Sequence, residues 1–380
     1  MKKFFSGLVL IVMVFVLSGC GSRYLVALKR YWGYLDTFSE VRAEYNKKEM
    51  KEEEVKEAFW AVDDILFDIE KWFSIKQTPM MLGNGIDKSE LMEVNDKAGV
   101  EPVVVSPTFI DLLKRSIEIY NLSDGYFNPA IGPLSRLWDI SGKVEYCMAP
   151  NDDSDCTIPP IEEISAAMKL LNPEKIVIDE EESTVFLEEK GMKLDFGGIA
   201  KGYAADLVLD HMKSYPFTAV FMSLGGNVYI YGEPNDKQGK KEWYTAVENP
   251  LYNSSMSADA MEIGDLYNQN VTVVTSGIYK RYIYVGDVRY SHLLDANTGY
   301  PFESDLMSVT IIGPNSAVAD ALATGVYGLG IDKGYDLVKS LDGYGVIFVT
   351  NDKKVYYSNN VEFKPNPALE KAGYQFNVLE

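Results

Sequence analysis

The chain begins with Lys2-Lys3 and then an almost unbroken apolar run over 4–17. A run this short behind a basic start reads as a secretory signal, not a bilayer-spanning helix. Residues 31–45 are aromatic and β-branched enough to predict a first strand. Over 47–73, Val55, Phe59, Val62, Leu66, Ile69 and Phe73 recur at helical spacing. They form the buried stripe of a long amphipathic helix whose charge-dense start is a solvated face. Ser106-Pro107 starts a second helix, over about 106–122, and a third covers about 160–171. Strands follow at 175–178 and Thr184–Leu187. Beyond Met192, strands and glycine turns alternate with two more helices, with hairpin turns at Gly286-Asp287 and Asn351-Asp352. No internal repeat, low-complexity linker or transmembrane span interrupts the rest of the pattern. The expected fold is α+β, a mixed sheet with long helices.

Composition sharpens this picture. The 380 residues are 47% apolar and 24% charged, an ordinary globular balance for one large domain or two small ones. With 56 acids against 36 bases the net charge is −20, which argues against nucleic-acid binding. An anionic ligand must therefore be held by concentrated local positive charge. Two histidines, His211 and His292, exclude a three-histidine zinc site, and three cysteines exclude a Cys₄ cluster. Leu17-Ser18-Gly19-Cys20 resembles the lipobox of bacterial lipoproteins. That resemblance implies removal of a signal peptide over 1–19, acylation of Cys20 and a lipid anchor outside the cytoplasm. We expect a tether over 20–30 and a single domain over 31–380 with an insertion at about 141–159. Within that loop Cys147 and Cys156 are either a disulfide or two thiols.

Four segments carry more polar and glycine character than turns require. In Asp195-Phe196-Gly197-Gly198-Ile199-Ala200-Lys201-Gly202-Tyr203-Ala204-Ala205-Asp206, a strand leads through glycines into a helix. Backbone N–H groups and Lys201 there suit an anion, or the segment is a tight turn with a surface lysine. The Asp-Phe-Gly triplet lacks the other protein-kinase motifs, and no Walker A sequence is present. Ser223-Leu224-Gly225-Gly226-Asn227 reads on its own as a hairpin turn. Ser291-His292-Leu293-Leu294-Asp295 ends a hairpin with a histidine and a carboxylate three residues apart. In Ala317-Val318-Ala319-Asp320-Ala321-Leu322-Ala323-Thr324, a carboxylate sits in a small-residue helix with a hydroxyl one turn later on the same face. Such a carboxylate needs a partner or a cation, and these hard oxygens suit Mg²⁺; alternatively Asp320 caps a neighbouring loop.

In order and spacing these segments resemble the ApbE family, the FAD:protein FMN transferases. Thr275-Ser276-Gly277-Ile278-Tyr279-Lys280-Arg281 and Ser123-Asp124-Gly125-Tyr126-Phe127-Asn128-Pro129 match its further motifs, as do Phe73-Ser74, Ser89-Glu90-Leu91 and Asn95. The resemblance covers about 34–330. It implies an enzyme that cleaves FAD with Mg²⁺ and joins FMN to a Thr or Ser hydroxyl of an acceptor flavoprotein, such as a membrane redox subunit, releasing AMP. By the same match Asp320, Thr324 and the Gly198 carbonyl would ligand Mg²⁺, and Asp195 and Lys201 would contact FAD. Tyr126, Phe127 and Asn128 would line the flavin or adenosine pocket, with a backbone contact from Leu294. His292, Asp295 and Lys201 would position substrate or handle protons. Leu35-Asp36-Thr37 stands where the family has Met-Gly-Thr, so Leu35 takes the flavin contact, and Lys76 replaces an aromatic after Phe73-Ser74. The motifs do not separate transfer from an FAD pyrophosphatase or a flavin-binding lipoprotein without turnover.

Overall fold

The computed structural model describes residues 23–35, 37–147, 156–234 and 243–380. Nine strands build the main sheet: β1 (Tyr24–Tyr34), β2 (Thr37–Asn46), β3 (Phe217–Leu224), β4 (Asn227–Gly232), β5 (Val271–Gly277), β6 (Leu306–Gly313), β7 (Gly345–Thr350), β8 (Lys354–Ser358) and β9 (Gln375–Leu379). Every strand lies beside its successor, in the order β1 to β9. All pairs are antiparallel except β8 with β9.

Helices α1 (Glu52–Phe73), α2 (Pro107–Leu122), α3 (Ala200–Lys213) and α4 (Ser316–Lys339) share one core with the helix-side residues of β1–β7. The predicted stripe of α1 is its buried face, and Ser106 caps α2 by accepting the Phe109 N–H at 3.2 Å. On the opposite face a small sheet of Thr245–Glu248, Glu262–Leu266 and Phe363–Pro365 covers Val273, Ile312, Ile347, Val349 and Val355. Coverage on both sides explains why β6 and β7 are buried at every position and read as continuous apolar runs.

Three expectations change. The strand predicted over 31–45 is a hairpin, β1 and β2, turning at Leu35. Leu35 takes a φ of 54°, and its amide donates to the Glu70 carboxylate of α1 at 2.5 Å. Residues 24–30 therefore belong to the sheet rather than to a tether, and the strand starts three residues after 21. No strand precedes Asp195: that stretch bonds through its backbone to Pro129 and Gly132, and Asn95 holds Leu194 with both ends of its amide. Cys147 and Cys156 form a disulfide, while 148–155 of the insertion lie outside the described residues, as does Cys20. Among the described residues no helix is long and apolar enough to cross a membrane.

Candidate active site

The site is assembled where α3 and the first turns of α4 cross. A Cβ on Gly202 would lie 2.1 Å from the Ser316 carbonyl oxygen, so only glycine permits the approach. One turn on, the Asp206 carboxylate accepts the N–H groups of Ser316 at 2.8 Å and Ala317 at 2.9 Å. This ties the start of α4 to α3, beside the cap made by Asn315 on the Val318 N–H at 2.9 Å. Burial pushes the Asp206 pKa up to about 6, against the lowering effect of those two donors.

This crossing aims Asp320 at the start of α3. The residue is 4% exposed. Its carboxylate accepts the Gly202 N–H at 3.0 Å, and Lys201 Nζ stands 3.3 Å from each oxygen. Lys201 also donates to the Gly197 carbonyl at 3.3 Å. A lysine and a helix N–H thus match the charge that the apolar helix would otherwise strand. On the same face, Thr324 Oγ1 is 3.2 Å from Ser276 Oγ of β5. A Cβ on Gly198 would be 3.6 Å from that Thr324 oxygen and 3.3 Å from the Phe127 ring. Gly198 thus lies beside the Thr324 hydroxyl and Asp320 stands one turn before Thr324 on the same helix face, so the neighbourhood holds a backbone carbonyl, a hydroxyl and a carboxylate. That donor set fits a hard cation that keeps water or phosphate oxygens as further ligands. Among the described residues no group of three or more His, Cys, Asp or Glu side chains is placed to hold a metal ion.

The β3–β4 turn closes one side. Gly225 and Gly226 have φ of 59° and 94°, the left-handed pair of a tight hairpin turn. A Cβ on Gly225 would meet Thr37 at 2.8 Å and Lys201 Cδ at 3.1 Å, so the β1–β2 turn and Lys201 converge over it. Phe127 backs Gly198 and Gly325. Tyr126 packs on Gly328, with its ring 6.0 Å from that of Phe302.

Other expected site residues work inside the fold. Asn128 donates to the Leu171 carbonyl at 2.9 Å and accepts the Ala130 N–H at 2.8 Å, so it shapes the loop behind Phe127 instead of offering a free amide. Asp195 accepts the Gly197 N–H at 2.8 Å and the Ser135 hydroxyl at 2.7 Å, fixing the turn into α3. Asp295 accepts the Asn297 N–H at 2.8 Å and does not pair with His292. Leu294 bridges Pro301 within the same loop. His292 Nδ1 lies 3.1 Å from the Arg281 carbonyl. A carbonyl only accepts, so Nδ1 carries the proton and Nε2 the lone pair. Burial, then the charges of Arg281 and Lys201, lower the His292 pKa to about 4.

Sequence reasoning assigned no role to Ser276, Asp206, Ser135 or Glu70. The first two stand inside recognised motifs, whereas Ser135 and Glu70 give no local signal because their partners are distant in the chain.

The comparisons agree with this architecture. The sequence model of the ApbE family matches residues 36–348. An FAD:protein FMN transferase of Klebsiella pneumoniae is 34% identical over 289 residues, 76% of this chain and 83% of the relative. One of Treponema pallidum is 31% identical over 298 residues, 76% and 78% of the two chains. The crystal structure of the ApbE protein of Thermotoga maritima superposes with a TM-score of 0.67 at 27% identity, covering 90% of this chain and 97% of that one. With the family's sequence model matched along most of its length, the chain belongs to the ApbE family.

Proposed function

We propose that the protein transfers FMN from FAD to a Thr or Ser hydroxyl of an acceptor flavoprotein and releases AMP. The observation that carries the reading is the convergence of Asp320, Thr324, Gly198 and Lys201 at one helix crossing in a chain of this family. Asp320, Thr324 and the Gly198 carbonyl would hold Mg²⁺, which would supply charge neutralisation at the pyrophosphate. Lys201 and the N-terminal end of α3 bind the same phosphates, concentrating positive charge that a −20 chain otherwise lacks. Leu35, Tyr126 and Phe127 hold the organic parts of FAD, and Asp195 supports the turn that bears Gly198. The neutral His292 accepts the acceptor's hydroxyl proton on Nε2. The new bond joins the acceptor oxygen to the FMN phosphorus, and the bond that breaks is the one to the AMP phosphate. Asp295 shapes the loop that presents His292.

We further propose that Cys20 is lipidated and that the enzyme works on the outer side of a membrane, on acceptors held there. The test incubates the full chain with FAD, MgCl₂ and an acceptor flavoprotein fragment bearing a Thr. An FMN mass increment on the acceptor is the expected result. AMP release without it would identify an FAD pyrophosphatase, and neither product would leave binding alone. Labelled palmitate should enter the wild type and not Cys20→Ser.

A further inference from the structure

Asn227 opens β4 immediately after the Gly225-Gly226 turn. It stands opposite Leu224 of β3, and Leu224 stands opposite Ser39 of β2. Directly opposed residues in antiparallel strands share a face. Leu224 belongs to the core beneath the helices, so Ser39, Leu224 and Asn227 form one row on the helix side of the sheet. Asn227 is 3% exposed and Ser39 1%. Among the described residues neither the Asn227 Nδ2 nor the Ser39 Oγ has a hydrogen-bond partner. A buried donor without an acceptor is costly and calls for an explanation. The row ends at the turn that touches Lys201, the cation of the proposed phosphate site.

We infer that Asn227 is a positioning residue for FAD, its side-chain amide donating to an oxygen of the bound dinucleotide. The identity of that ligand rests on the FMN-transfer reading. A stranded donor next to the turn that Lys201 touches suits an acceptor-rich anion, and both the diphosphate and the flavin carbonyls of FAD are acceptors. Ser39 offers a second donor in the same row. The unpaired amide destabilises the protein without ligand and is satisfied only when the ligand arrives.

The two states therefore respond in opposite directions. The experiment uses the full chain and measures FAD affinity by quenching of flavin fluorescence, with thermal unfolding followed in the absence of ligand. Asn227→Ala should weaken FAD binding about tenfold or more. Its ligand-free unfolding midpoint should stay level or rise. Asn227→Asp, of the same shape but without the donor, serves as the second variant and should lose affinity as well. If the affinity for ADP falls in parallel, the contact is to the diphosphate; if only FAD and FMN are affected, it is to the flavin. A lowered ligand-free midpoint with FAD affinity unchanged would show a purely structural residue and overturn the inference. So would wild-type affinity in both variants. A wild-type chain that binds no FAD would instead defeat the functional reading itself.

Discussion

Asp320 is a carboxylate in a helix of alanines and leucines, held in place by Lys201 and the Gly202 N–H. Replacing it with alanine leaves Lys201 without its counter-charge and removes the only carboxylate of the proposed metal set. Asp320→Ala should lower AMP release at least about 100-fold, comparable to losing a preorganised electrostatic group. Full activity in that variant would refute the metal assignment. His292 gives a pH prediction of definite sign. Its folded pKa of about 4 lies below the ordinary 6.5, so unfolding favours its protonation. Its contribution to stability is complete above about pH 6.5 and is lost as the pH falls toward about 4. Scanning calorimetry should find a steeper fall in midpoint below about pH 6.5 for the wild type than for His292→Asn. Residues such as Asp320, Thr324 and Lys201 were legible because polar groups in an apolar helix or a glycine turn need a reason. Asn128, Asp195 and Asp295 were not, because the carbonyls, hydroxyl and N–H groups that engage them are assigned by the folded backbone.

At the level of elements, the approach of α3 to α4 positions the whole cluster. Gly202→Ala must push the Ser316 carbonyl away from 2.1 Å, an overpacking that should cost about 1–3 kcal/mol. Chemical denaturation should register that loss, and FAD turnover should fall with it because Lys201 and Asp320 separate. Asp206→Ala removes two N–H acceptors at the start of α4 and should cost about 1–2 kcal/mol in the same measurement. Most elements were legible from periodicity and punctuation: the α1 stripe, the Ser106 cap, and the turns at Gly225-Gly226, Gly286-Asp287 and Asn351-Asp352. The β1–β2 turn was not, because its left-handed residue is a leucine. Its amide is satisfied by Glu70, a side chain far along the sequence.

Over the whole molecule, the net charge of −20 opposes an anionic dinucleotide while Lys201 attracts it at close range. Salt screens the distant charges first, since the Debye length is about 10 Å at about 0.1 M. Stopped-flow association of FAD should therefore accelerate as NaCl rises from about 10 to about 150 mM, where a basic binding site would slow. The meander also fixes a distance. Tyr24 opens β1 only a few residues after the proposed anchor at Cys20, a reach of about 14 Å even for extended chain. The strand's 11 residues then run about 35 Å to the turn beside Lys201. With Cys20 lipidated as proposed, β1 would limit how far the turn beside Lys201 can stand from the bilayer, to about one strand's length beyond that reach. The proposed anchor would thus set an upper bound on the height at which acceptor hydroxyls can be served.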